Sequence, residues 1–155
     1  MKKLIKLILI VICMISIFKL SSDNKELSTN KSDGVIITMS EFFLGRHLNS
    51  LEKEMYIEKY VKLVRKSAHF FIYSILGLLV ISLALEYSLD YKTIIISIIF
   101  CLLYAVSDEI HQLYVPGRSG EVRDVFIDTI GSFFGIILYF ICYTKYIKFK
   151  EKKNG

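Results

Sequence analysis

The stretch TIIISIIFCLLYAVSDEIHQ, residues 93–112, decides how the rest of the chain is read. From Thr93 to Val106 it is apolar. Those residues, about 14, cover about 21 Å as an α-helix. The hydrocarbon core of a bilayer is about 30 Å thick. The helix must therefore continue through Asp108, Glu109 and Gln112 and carry them to the membrane edge or into it. An ionisable group at that depth costs about 2.5–3.5 kcal/mol on insertion scales, so it needs a partner or a cavity.

The composition around this stretch agrees with a membrane chain. Of 155 residues, 54% are apolar, and they lie in blocks separated by charged segments. This excludes disorder, a collagen-like repeat and a disulfide-built secreted domain. One proline and no tryptophan leave little sign of a loop-rich all-β fold. The net charge of +5 comes from 20 Lys+Arg against 15 Asp+Glu. Lysines gather at the ends of apolar blocks, the cytoplasmic pattern of membrane proteins, so no nucleic-acid partner is expected. Cys13, Cys101 and Cys142 lie inside apolar runs without metal-like spacing and read as small apolar helix residues.

Four spans follow, at about residues 4–18, 68–85, 93–110 and 125–143, in a single all-α domain covering residues 1–155. The first sits behind Lys2, Lys3 and Lys6 and reads as an uncleaved anchor, with a signal peptide as the alternative. Residues 19–31 are polar and are expected as loop. Val35, Ile36, Met39, Phe42 and Phe43 recur at helical spacing, and Asn49 with Glu52 resembles an N-cap pair opening a second amphipathic helix. Both helices are expected on the outer membrane surface, with a small soluble cap as the competing view. The lysines at the amino terminus and the basic tail put both termini in the cytoplasm, which four spans satisfy. The extracytoplasmic segment is then about residues 19–66.

This topology gathers polar groups at one depth. Lys66 and His69 sit at the outer end of span two, Asp108, Glu109, His111 and Gln112 at that of span three, and Asp124 and Asp128 at that of span four. Arg118 and Arg123 lie in the outer loop. Lys66, His69 and Tyr73 share a helix face by spacing, as do Asp108 with Gln112 and Asp124 with Asp128. Gly131 and Gly135 form a small-residue pattern that lets helices approach closely. Pro116, Gly117 and Gly120 signal a turn that holds Arg118 over the cluster. Each residue also has an ordinary reading: Arg65 and Lys66 as interface anchors, His69 as a packing residue, His111 as solvated, Asp124 as an N-cap. Asp128, one turn inside a span, is harder to explain that way.

Three chemistries suit the cluster. His69 with Asp108, Glu109 or Asp128 is a ligand set for a divalent metal, but no H-E-x-x-H or similar spacing supports it, and neither metal nor cofactor is expected. A His–carboxylate pair is a general acid and base for a lipid-linked substrate. Lys66 and Arg118, held by carboxylates, are a binding site for phosphate or carboxylate. Ser67 and Ser119 as nucleophiles have only generic support, and no catalytic residue is assigned.

These motifs together resemble the VanZ-like membrane proteins, named after a teicoplanin-resistance protein. The resemblance rests on Arg65-Lys66-Ser67-Ala68-His69-Phe70 with Tyr73 and Gly77, Ser107-Asp108-Glu109 with Gln112, and Pro116-Gly117-Arg118. Asp124, Asp128, Gly131 and Gly135 extend it, and Ser32-Asp33-Gly34-Val35 resembles the start of the family's extracytoplasmic helix. It runs from about Ser32 to Gly135. It departs from the family at Asp128, where Asn is common. The resemblance implies a small helical membrane protein of bacterial type and no particular reaction.

The combined expectation is a four-helix membrane bundle with an outer-facing polar pocket for an anionic or peptidic cell-envelope ligand. Lys66 and Arg118 meet the ligand's negative group. His69, Glu109 and Gln112 orient it, and Asp108, Asp124 and Asp128 fix the cations. The expected partners are membrane lipids and a cell-wall precursor or lipid-linked ligand. Two alternatives stand beside it: a membrane-embedded hydrolase or transferase, and a structural protein in which the cluster is helix glue.

Overall fold

The computed structural model describes residues 1–23, 25–118 and 120–154, with the side chains of 25–31 and 154 outside the description. Ser119 therefore lies outside the described residues. Five helices carry the described chain: α1 Lys2–Ser22, α2 Lys25–Leu44, α3 Ser50–Ala84, α4 Tyr91–Gln112 and α5 Val122–Asn154. Among the described residues there is no strand. Helices α1, α3, α4 and α5 are each long and apolar enough to cross a membrane.

The polarity of the bundle suits lipid rather than water. Large apolar side chains point outward, among them Phe71, Ile75, Ile96, Leu103 and Ile130. The interior combines apolar residues such as Ile17, Leu76, Ile81 and Ile136 with Ser21, Ser97, Asp108, Asp128 and Ser132. In hydrocarbon there is no water to drive apolar side chains together, so small residues and interhelical polar contacts hold the helices.

Three expectations are corrected here. The first span is longer than 4–18, and residues 19–22 and 25–31 are helix and not loop, because α1 runs to Ser22 and α2 starts at Lys25. The amphipathic segment after Asn49 is not a separate surface helix. It is the first half of α3, a single helix of 35 residues. At 1.5 Å per residue α3 is about 52 Å long, well beyond the hydrocarbon thickness. Its charged half, from Glu52 to Lys66, therefore projects past the bundle, and α2 packs antiparallel along it. Ile36, Met39 and Phe43 face Tyr56, Tyr60 and Leu63 across a shallow groove of about 330 Å³. A capping box starts α3, as expected. The Asn49 side chain accepts from the Glu52 amide (2.9 Å), and the Glu52 carboxylate accepts from the Asn49 amide (3.0 Å). Arg46 adds a two-pronged pair to Glu52 at 2.6 and 2.9 Å. Gly45, at φ +64°, makes the turn between α2 and α3 in a conformation that other residues rarely adopt.

Helices α3 and α5 run parallel in the closest crossing of the bundle. A Cβ on Gly131 would lie 2.4 Å from the Phe70 carbonyl oxygen, on Gly135 1.9 Å from that of Ser74, and on Gly77 2.1 Å from that of Ser132. The Gly131/Gly135 pattern is thus a backbone-to-backbone contact. At the far end of the bundle, Lys6 of α1 donates to Glu86 Oε1 at 2.5 Å and to the Ser82 carbonyl at 2.7 Å. The amino terminus therefore lies beside the α3–α4 turn, and the polar cluster is at the opposite end.

Candidate functional site

The α3–α5 crossing sets the first pair. It brings His69 on α3 to Asp128 on α5, with Nδ1 and Oδ2 3.5 Å apart. Asp128 is 1% exposed, and its Oδ1 has no hydrogen-bond partner. Tyr73, one turn along α3 and fully buried, lies nearly parallel to the His69 ring with 6.5 Å between centroids. Helix α4 adds Asp108, 3% exposed. Asp108 Oδ2 accepts from Ser21 Oγ at 2.8 Å and from Gln112 Nε2 at 3.3 Å, while its Oδ1 has no partner. One ligand-capable atom from each of His69, Asp108 and Asp128 falls within 4.8 Å of the others. Three helices thus converge two buried carboxylates on one imidazole.

Above this buried layer is a polar recess of about 370 Å³. The lining carries five cations, Lys62, Arg65, Lys66, Arg118 and Arg123, against two carboxylates, Glu121 and Asp124. Lys66 is committed: its ammonium pairs with Asp124 and reaches Glu121 at 3.5 Å. Arg118 is committed too. Its guanidinium donates to the carbonyls of Leu20 (3.2 Å) and Asp23 (3.0 Å) and to Gln112 Oε1 (3.1 Å). It thereby satisfies the carbonyl end of α1, where a cation is favoured. Burial pulls the Arg118 guanidinium below its ordinary value, and the nearby Arg65 charge adds repulsion. Lys62, Arg65 and Arg123 make no ion pair among the described residues, which leaves the recess with surplus positive charge.

A second, apolar recess of about 210 Å³ lies alongside. Ile17, Leu20, Val35, Val64 and Ile72 form its walls, and Arg65, His69 and Arg118 line it as well as the polar recess. His69 therefore stands at the join between a cationic chamber, an apolar groove and the buried acids.

Of the residues expected from sequence, Lys66, His69, Gln112, Arg118 and Asp124 line the polar recess. Asp108 and Asp128 lie beneath it. Glu109, 7% exposed, is turned aside: its Oε1 accepts from the Glu121 amide at 2.5 Å and latches the α4–α5 turn onto α4. Asp108 was expected to fix a cation. Instead it receives Ser21 and Gln112, and Gln112 is what touches Arg118. His111 is partly exposed but is not in a loop. It lies in α4, stacks on Phe18 at 4.2 Å and meets Ser22 at 3.0 Å.

Ser21 escaped the sequence reading because the first span was ended before it. Arg65 and Arg123 escaped as binding residues because a flanking arginine reads as an interface anchor. The signal that could have found them is helical register, since Arg65 is four residues before His69, and Arg123 and Ile127 lie one turn apart on the same recess wall.

Four span-length helices, the polar end and the α3–α5 glycine contact agree with one family profile, described as VanZ/LLP1, which matches residues 6–143. The chain belongs to the VanZ/LLP1 family. It is a multi-pass membrane protein of that family, and the match takes in α1 as well as the four elements after it. Comparison with curated proteins and with solved structures found no match.

Proposed function

We propose that this VanZ/LLP1 protein sits in a bacterial cell membrane with its polar recess facing outward. There it binds a lipid-linked cell-envelope ligand by the anionic head and thereby supports tolerance to glycopeptides such as teicoplanin. One observation carries the reading: Arg65, His69 and Arg118 line both the cationic recess and the apolar groove. An anion in one and a hydrocarbon chain in the other is the ligand chemistry such a join favours. The basic first residues and the basic tail support cytoplasmic termini.

The test is binding of a polyprenyl phosphate to the purified protein in detergent, with the uncharged polyprenol as control. Arg65→Gln with Arg123→Gln removes two cations that hold no ion pair among the described residues. At about 1.5–3 kcal/mol for a hydrogen bond to a charged group, affinity for the phosphate should fall about tenfold or more, and affinity for the alcohol should not. Equal loss for both, or none, rejects an anionic head. The same double variant, present at normal membrane abundance, should lose glycopeptide tolerance in cells. Unchanged tolerance rejects the link to resistance.

A second reading, a hydrolase or transferase, is favoured by the pairing of His69 with the buried Asp128. In the same assay, conversion of the phosphate compound, lost in His69→Gln, selects it. Binding without turnover rejects it for that substrate.

A further inference from the structure

We propose that His69, Asp108 and Asp128 form a binding site for one divalent transition-metal ion beneath the recess. A nitrogen of His69 and one oxygen from each aspartate lie within 4.8 Å of one another. Ligands about 2.0–2.2 Å from a metal are about 3–4 Å apart, so small side-chain rotations bring all three onto one ion. The 3.5 Å between His69 Nδ1 and Asp128 Oδ2 points the same way. It is too long for a charge-assisted hydrogen bond, about 2.7–2.9 Å, and matches two neighbouring ligands on one ion.

Asp108 and Asp128 are 3% and 1% exposed, and one oxygen of each has no hydrogen-bond partner among the described residues. A buried carboxylate without a partner is costly. Among the described residues the one cationic group paired with either is His69, on Asp128. With both carboxylates ionised, two negative charges face at most one positive among the described residues, a balance that a dication completes. The recess cations do not do so, because Arg118 stops at Gln112 and Lys66 at Asp124 and Glu121.

Ser21 and Gln112 both donate to Asp108 Oδ2, which leaves Oδ1 as the free donor atom. Tyr73 lies nearly parallel to the imidazole. Groups that hold ligands in this way are the usual second layer of a metal centre. His69 lines the recess and gives an ion a route in. One imidazole and two carboxylates, without thiolate, suit Mn²⁺, Fe²⁺ or Zn²⁺ rather than a soft cation such as Cu(I). The three residues lie on three helices, so no spacing along the chain announces them.

The experiment uses the full-length protein in detergent, stripped with EDTA and titrated with Mn²⁺. Loss of the free-ion electron paramagnetic resonance signal reports binding. The expected result is one Mn²⁺ per chain, with nitrogen coupling from one imidazole in the pulsed spectrum of the wild-type protein. Asp108→Asn and Asp128→Asn should each weaken Mn²⁺ by about tenfold or more, Ser21→Ala by about tenfold, and Glu54→Gln, on the exposed face of α3, not at all. A wild-type protein that binds neither Mn²⁺ nor Zn²⁺ below about 1 mM overturns the proposal, whatever the variants do. So does bound Mn²⁺ without imidazole coupling, or affinity unchanged in folded Asp108→Asn and Asp128→Asn.

Discussion

At the scale of single residues, the polar end separates two uses of charge. Lys66 and Arg118 were the obvious anion binders from sequence, yet both serve as braces, Lys66 between α3 and α5 and Arg118 between α1 and α4. Arg118 uses three nitrogens on three acceptors, a task that suits a planar guanidinium and not an ammonium. Arg118→Lys should therefore destabilise the protein by about 1.5–3 kcal/mol, seen as a lower Tm in detergent. A Tm equal to that of the wild type would show that the three bonds contribute nothing. Arg65 and Arg123, which brace nothing among the described residues, are the better place to look for ligand affinity.

At the scale of elements, the informative helix is α3. Its apolar half was legible from hydropathy, and the Asn49–Glu52 box that starts it was legible as a motif. That the two are one helix was not, because the sequence turns from charged to apolar near Arg65 and a change of polarity reads as a boundary. Nothing in the backbone breaks there: from Ser50 to Ala84 there is neither proline nor a positive-φ residue. The parallel α3–α5 crossing depends on the absence of side chains. Gly135→Ala puts a Cβ 1.9 Å from the Ser74 carbonyl, and backbone cannot give way as a side-chain tip can. A loss of about 1–3 kcal/mol or more is expected, read as a fall in Tm together with weaker His69–Asp128 coupling. Gly34→Ala in α2 meets nothing within 4 Å and should leave Tm unchanged or raise it. Similar effects at both positions would sink the close-packing account.

At the scale of the whole molecule, the bundle is polarised end to end. One end carries the recess and the α2–α3 hairpin, and the other the Lys6–Glu86 contact beneath the α3–α4 turn. Which end faces outward decides what ligand the recess can meet. With the native cysteines replaced, Arg46→Cys in the hairpin should react with a membrane-impermeant maleimide on intact cells. Lys152→Cys in the basic tail should react only after permeabilisation. The reverse pattern would turn the recess to the cytoplasm and remove the extracellular ligand from consideration.

The sequence by itself determined four helices long and apolar enough to cross a membrane, with Asp108, Glu109, Gln112 and Asp128 within or at the ends of those segments. Hydrophobic length and the cost of a buried charge are local quantities, readable along one chain. Only the tertiary structure decided the pairings: His69 with Asp128, Ser21 and Gln112 on Asp108, Arg118 on the carbonyls of α1, and Glu109 on the turn. Those depend on how the helices rotate about their axes and on which backbones touch. Spacing on one helix places a side chain on a face, and its partner is set by a neighbouring helix far away in sequence.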